Sequence, residues 1–469
     1  MYKALLIVVF FLLSCGATLF LILRRPFLYI RTGLRRIKID TYFLGSMLGP
    51  LLIVLFGLIS IGEVKAGLEG SKNLNPFGIL VLFLSMVFMS IFLDITGFFE
   101  YCARVALRFA KTSGKSLFFV LYITVSILTI FTSNDIIILT FTPFIFYFSK
   151  DAGIDPKPFL IGEFFAANTW SMVLYIGNPT NIVIAAAFNM RFLQYTLWMF
   201  LPTVACGVVN AVLLYIIFRK QIDVPIRPPK DIDPSKAITD RHGALLGLIT
   251  LSLCIVALAI GPYIGIQMWV ISLAFAAALL LILIIRDSAM ELLRKALKKK
   301  NDQSTPWNGL HTSYITSLAR MPWTVVPFVL SLFITVEALK YYGIADRIGE
   351  FFNTISSGSD IRYIFVYGIT STLMANILNN IPMTVCYATI LSNTPPDSLL
   401  PASLATVVGS NLGANLTPLG ALAGIMWMSI LKSKNLNLSF TEFMKYGLIV
   451  TPLSLLSCLV VLSLEFVLF

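Results

Sequence analysis

The stretch "TIFTSNDIIILTFTP", Thr129 to Pro143, decides how the chain is read. An amide and a carboxylate, Asn134 and Asp135, stand inside a long apolar run. The surroundings are hydrocarbon-like throughout. The 469-residue chain is 58% hydrophobic and only 12% charged, with mean hydropathy +0.87. A soluble chain would be near a quarter charged. Apolar runs of about 20 residues recur along the sequence, which is the pattern of an all-α polytopic membrane protein. An isolated charge in such a run costs roughly 2.5 kcal/mol or more, so a retained one marks function until shown otherwise.

The six cysteines are scattered without a CxxC pair, and His242 and His311 lie in polar segments. This excludes a metal or disulfide signature, and no cofactor is expected. The net charge of +12 comes from basic residues flanking apolar runs, so it points to lipid headgroups and away from nucleic acid. The first apolar run, 4–23, is preceded only by Lys3 and followed by Arg24, Arg25, Arg31, Arg35, Arg36 and Lys38. That polarity reads as a retained first span with the N-terminus outside, not a cleaved leader.

The expected crossings are 4–23, 41–61, 77–98, 159–190, 193–218, 243–263, 266–285, 321–339, 403–431 and 446–468. Two further apolar stretches, 117–148 and 361–392, carry polar residues at their midpoints: Ser133-Asn134-Asp135 and Asn379-Asn380, with Pro382 following. Arms of about 10–18 residues are shorter than the roughly 20 needed to cross, so both stretches read as re-entrant hairpins. In that arrangement 28 of the 35 Lys and Arg fall in segments on one side, as the positive-inside rule requires of a cell-membrane protein. Both termini are then outside.

The same reading contains an inverted repeat of about five spans plus one hairpin per half. It runs over 1–218 and 243–469, joined by a Pro-, Asp- and Lys-rich cytoplasmic linker, 219–242. Opposed repeats are a signature of secondary transporters. A channel, the rival class, would need no such two-sided arrangement. The segment "ELLRKALKKK", 291–300, reads as a basic amphipathic helix at the membrane surface. An enzyme is not expected, because no catalytic constellation stands in the spans. No GxxxxGK[ST] motif is present, so any ATPase would be a separate subunit.

Two spans are interrupted. In 159–190 the polar residues are Asn168, Thr169, Ser171, Asn178, Thr180 and Asn181, with Gly177 and Pro179 among them. In 403–431 they are Ser410, Asn411, Asn415 and Thr417, with Gly409, Gly413, Pro418 and Gly420. Broken helices present N–H groups and carbonyls to ions and anions. Small residues and amides also serve as glue between membrane helices, and the two readings compete here. With the hairpin tips added, the candidate substrate and ion site is Ser133, Asn134, Asp135, Asn379, Asn380 and these two groups. Asp135 is the leading proton carrier and Glu163 the reserve. Asp94 and Glu100 are read equally as structural partners of Arg104 or Arg108 and as functional acids.

These residues resemble a family. "LDITGFFEYCA" (93–103), "SNDIIILTFTP" (133–143), "NNIPMTV" (379–385) and "LTPLGALAGIMWMSIL" (416–431) resemble the ion transporter superfamily, and within it the arsenite efflux permeases. "IGNPTNIVI" (176–184), with Glu163 upstream, is similar to the sodium/proton antiporter branch. The resemblance covers nearly the whole length. It implies two hairpins, a homodimer formed through a scaffold domain, and elevator-type movement coupled to H⁺ or Na⁺. It also implies that Ser133-Asn134-Asp135 and Asn379-Asn380 take the place of the family's Ser-Asn-Thr tips. One departure stands out: amides occupy Asn168 and Asn411, where the arsenite permeases commonly carry acids. Na⁺/H⁺ antiport and Na⁺-coupled carboxylate or anion transport therefore remain alternatives to arsenite and antimonite export.

Overall fold

The computed structural model describes residues 2–32, 35–70, 75–110, 112–226, 233–298, 313–436 and 438–469, with side chains of 29–38 and 293–298 left aside. The chain opens with α1 (Tyr2–Arg24), a hairpin of β1 (Phe27–Thr32) and β2 (Arg35–Asp40), α2 (Tyr42–Leu55) and α3 (Ile61–Glu69). The hairpin is antiparallel, with Phe27 opposite Asp40. Then come α4 (Pro76–Ile95), α5 (Phe98–Ala110), α6 (Gly114–Phe131), α7 (Asn134–Ala152), α8 (Lys157–Trp170), α9 (Pro179–Ala187) and α10 (Phe192–Ile222). After the linker follow α11 (Arg241–Ile260), α12 (Met268–Lys298) and α13 (Ser313–Arg320). The last group is α14 (Val325–Tyr341), α15 (Ile344–Ser356), α16 (Asp360–Leu378), α17 (Asn380–Leu391), α18 (Pro396–Leu416), α19 (Leu422–Ser433) and α20 (Phe440–Leu468).

Helix starts follow from local chemistry. Asn75 accepts from Gly78 N–H ahead of Pro76, Asp240 accepts from Gly243 N–H, and Ser439 accepts from Glu442 N–H. Among the described residues nine helices are long and apolar enough to cross a membrane: α1, α4, α6, α10, α11, α12, α14 with α13, α16 and α20. The protein is an all-α, multi-pass membrane protein.

The elements of α4–α10 recur in the same order in α14–α20. Each series has an apolar helix, a 13-residue amphipathic helix (α5 and α15), and two helices meeting at a polar break. A helix, a 3-10 turn (Tyr175–Gly177 or Pro418–Gly420), a shorter helix and a long closing helix complete it. Sequence reading missed α5 and α15, because 13 residues with a charged face fall below any spanning-length window. On that face Arg104 pairs with Glu100 at 2.6 Å, one helical turn away.

Two expectations need correction. The 41–61 run is not one span: α2 stops at Leu55, Gly57 adopts φ +60°, and Ser60 caps a new helix with Glu63 completing a capping box. Two hairpin arms, α7 and α16, are also slightly longer than the expected range. α6, α7 and α16 have 18, 19 and 19 residues, close to 28 Å at 1.5 Å per residue, and only α17, with 12, is short. Their polar ends extend each helix beyond its apolar run. The breaks themselves fall where expected, at Thr132-Ser133 and at Asn379.

The linker is more than a tether. Gly114 N–H donates to Val224 O and Thr239 N–H to Thr96 O, so its ends pack on the corners beside α5. Gly97, at φ +84°, sits where a Cβ would lie 1.9 Å from Ala237 O. The basic segment 291–300 continues α12 as far as Lys298, and its last two residues lie outside the described set, as does His311.

Candidate functional site

The two interrupted helices cross and exchange hydrogen bonds through their amides. α8 ends at Trp170 and α9 restarts at Pro179, with Asn178 accepting from Thr180 N–H as its cap. Gly177 is required in the turn between them, because a Cβ would stand 2.4 Å from Ser171 O. Opposite, α18 ends at Leu416, and Gly420 occupies the matching turn, where a Cβ would stand 2.4 Å from Gly413 O. α18 itself is drawn against α16 by Gly409 and Gly413, four residues apart; a Cβ at Gly409 would meet Ser371 Oγ at 1.8 Å.

At the centre is Asn411. Its Oδ1 accepts from Ser171 Oγ (2.9 Å) and Asn178 Nδ2 (2.8 Å), and its Nδ2 donates to Asn181 Oδ1 (2.7 Å) and Val407 O (2.8 Å). Asn181 in turn donates to Ser171 O. Ser410 Oγ donates to Thr180 Oγ1 at 3.1 Å. Beside this group, Asn134 Nδ2 donates to Asn168 Oδ1 (3.0 Å), and Asn168 Nδ2 donates to Asn415 Oδ1 (3.2 Å). Asn415 and Asn210 both donate to Thr169 Oγ1. All these residues are buried. Amide oxygens and nitrogens are assigned by the network they complete.

The second tip joins the same segment. Asn379 Nδ2 donates to Leu419 O at 3.1 Å, and Thr417 Oγ1 donates to Asn376 Oδ1 at 2.6 Å. Both tips thus reach residues 415–419, one through Asn168 and the other directly. Asn379 holds φ +74° and ψ 152°, a region nearly reserved for glycine and costing about 1–3 kcal/mol. Strain of that kind collects at sites whose geometry is imposed by function.

Satisfaction of hydrogen bonds divides the expected residues into two sets. Asn168, Thr169, Asn178, Thr180, Asn181, Ser410, Asn411 and Asn415 belong to one bonded network, and Thr417 is satisfied by Asn376 and Leu419 N–H. At the tips, Ser133 Oγ, Asn134 Oδ1 and Asn379 Oδ1 are buried without any hydrogen-bond partner. Asn380 is also buried; its backbone carbonyl accepts from Thr384. Buried polar atoms are nearly always paired, so these oxygens at the two breaks are acceptors left open to a solute or ion.

The acids are placed apart from this set. Asp135 follows Asn134 but turns to another face of α7, where it is half-buried. Glu163 is buried beneath α7, where Thr142 Oγ1 lies 3.0 and 3.1 Å from its two oxygens. Neither acid bonds to an amide of the cluster. Asp94 does not pair with Arg104 or Arg108; it accepts from Thr140 at 2.9 Å and pairs with Arg320 at 3.1 Å.

Sequence reasoning missed Asn210, Asn376, Thr142 and Ser171's central role. Asn210 interrupts the buried apolar face of α10, and Asn376 lies one turn before the second tip, so both carried a usable signal.

Comparison with known proteins gives a concordant picture. A family model described as a citrate transporter matches residues 37–297. The arsenical pump membrane protein of Escherichia coli is 25% identical over 411 residues, covering 87% of this chain and 89% of that one. A 46 kDa membrane protein of Mycobacterium leprae is 25% identical over 420 residues, covering 88% and 91%. Among solved structures, the YdaH transporter of Alcanivorax borkumensis, described as having an unusual topology, aligns with TM-score 0.52 at 16% identity over 99% of this chain and 98% of that one.

Proposed function

The chain belongs to the citrate transporter family, and from that premise we propose that it is a secondary active transporter exporting a small inorganic solute of the arsenite and antimonite type, coupled to H⁺ or Na⁺. The observation that carries this reading is the set of orphaned oxygens, Ser133 Oγ, Asn134 Oδ1 and Asn379 Oδ1, at two helix breaks that meet one segment. Arsenous acid is an uncharged triol at neutral pH. Its hydroxyls donate, and these oxygens accept. Among the described residues no Lys or Arg bonds into the cluster, so a citrate trianion would find there only the partial charge of the N-termini of α7, α9, α17 and α19. The 25% identical arsenical pump relative supports the same substrate class.

In this proposal residues 1–218 and 243–469 are opposed repeats, and the tips and broken helices move together as the carrying body of a homodimer. Both termini face outward, and any ATPase is a separate subunit. A second reading, Na⁺-coupled carboxylate or anion transport, is favoured by the family's description and by the suitability of the same oxygens as Na⁺ ligands. The test is flux in reconstituted vesicles of arsenite, antimonite, citrate and Na⁺ under separately imposed pH and Na⁺ gradients. Gradient-driven arsenite or antimonite movement is expected. Citrate uptake without either would establish the second reading, and dissipative flux indifferent to both gradients would establish a channel.

A further inference from the structure

Away from the amide cluster, three helices begin around one cavity of about 300 Å³: α4 at Pro76, α10 at Phe192 and α12 at Met268. Its wall includes Asn75, Asn189, Arg191, Gln267, Met268 and Trp269, and no carboxylate lines it. Several contacts hold this wall in shape. Trp269 packs on the first turn of α4, where a Cβ at Gly78 would stand 3.0 Å from its Cδ1. The Trp269 indole N–H donates to Gln267 Oε1 at 2.5 Å, and Asn75 Oδ1 accepts from Gly78 N–H. Met268 Sδ accepts from Tyr175 Oη at 2.6 Å, so the start of α12 also touches the turn between α8 and α9.

Arg191 is the one Lys or Arg in the lining. Its guanidinium lies over Tyr263, 5.0 Å from the ring centroid, and among the described residues it forms no ion pair. A guanidinium stacked on a ring keeps its planar N–H fork for an oxyanion. The three helix starts add partial positive charge at the same place. In the expected topology Arg191 lies on the side opposite the basic segments, so the positive-inside rule gives it no anchoring role. The neighbouring corner, Tyr263, Ile264 and Ile266, is exposed and apolar, as suits the headgroup level of a bilayer.

We propose that this cavity binds a phosphate-type oxyanion, with Arg191 as its bidentate partner and the starts of α4, α10 and α12 adding their partial charge. The headgroup of an anionic phospholipid and free phosphate offer the same chemistry. An anion held there ties the joint between α9 and α10 to the start of α12. The site lies outside the tips and the clasp, and it does not rest on the transport reading.

The test is binding to the purified full chain in a neutral detergent. One arm is equilibrium dialysis against radiolabelled inorganic phosphate. The other is native mass spectrometry after addition of phosphatidylglycerol, with zwitterionic phosphatidylcholine as the control. One bound equivalent is expected in at least one arm. Saturation by phosphate identifies a free anion as the occupant, and retention of phosphatidylglycerol alone identifies a headgroup. Arg191 is exposed, so its replacement leaves the fold intact. Arg191→Gln should weaken binding at least about tenfold, as loss of a charged hydrogen-bonding partner requires. Arg191→Lys keeps the charge but not the fork, and should weaken it about threefold or more. Should Arg191→Gln fail to fold, Arg191→Lys decides. Unchanged affinity in a folded Arg191 variant overturns the site, and so does a wild type that binds in neither arm. Solute flux is read in neither arm, so failure here leaves the transport reading untouched.

Discussion

Asn411→Ala tests the claim that the bonded amides are a structural clasp between the two broken helices. The side chain makes three hydrogen bonds across the halves, from Ser171, from Asn178 and to Asn181. Hydrogen bonds between membrane helices average about 0.6 kcal/mol by double-mutant cycles, so these three together contribute about 2 kcal/mol. Truncation also strands Asn181 Oδ1 and an Asn178 N–H in a buried place, at about 1–3 kcal/mol for each atom left unpaired. Relaxation of the neighbours recovers part of this, and a loss of about 3 kcal/mol is expected overall. The assay is reversible unfolding in mixed micelles, run as a cycle with Asn178→Ala and the double variant. The coupling between Asn178 and Asn411 should be about 0.6–1.7 kcal/mol. A single-variant loss below about 0.5 kcal/mol, the level of an ordinary surface change, with no coupling, would refute the clasp and return Asn411 to the solute-binding set.

The tips should behave differently. Asn134→Ala should cost under about 1 kcal/mol of stability, since only one bond is lost, yet abolish solute flux in vesicles. Asn379→Gly should match or exceed wild-type stability by up to about 1 kcal/mol, because glycine accepts φ +74° freely, while flux falls with the lost amide. Gly409→Leu should prevent accumulation of folded protein, read by size-exclusion profile, because its side chain would collide with Ser371 on α16.

How much of this was legible in the sequence depends on what each residue is up against. The breaks at Ser133 and Asn379 were visible because polar residues in hydrocarbon have few explanations. So were the interruptions after Trp170 and Leu416, where Gly177, Pro179, Pro418 and Gly420 forbid a continuous helix. The first hairpin runs past its apolar stretch at both ends because helical hydrogen bonding continues through Lys115 and Lys150, where hydropathy falls. The direction of Asp135 was not legible. Adjacent helical residues point about 100° apart, so Asn134 can enter the amide cluster while Asp135 turns to another face. No pattern in one chain says which of the two faces the site. The hydrogen bonds of Thr324 with Tyr42 and Asp40 were equally hidden, since they join residues 282 and 284 positions apart.

The separation of amides from acids bears on mechanism. If the solute were held by carboxylates, one group would have to bind cargo and carry protons, and the two roles would compete for the same oxygens. Here the uncharged tips stand beside the amide clasp, and the acids lie away from it: Asp135 on another face of α7, and Glu163 on α8 beneath Thr142. Under the proposed function, cargo and coupling ion are linked through the position of α7, not through a shared ligand. Such a link makes a sharp prediction for Asp135→Asn. Solute exchange should survive, because Asn134 and Ser133 keep their places, while accumulation against a gradient under a pH difference should vanish, because an amide cannot carry the proton. Loss of exchange together with accumulation, in a variant that folds and melts as the wild type does, would place Asp135 among the solute's own ligands and remove the division of labour.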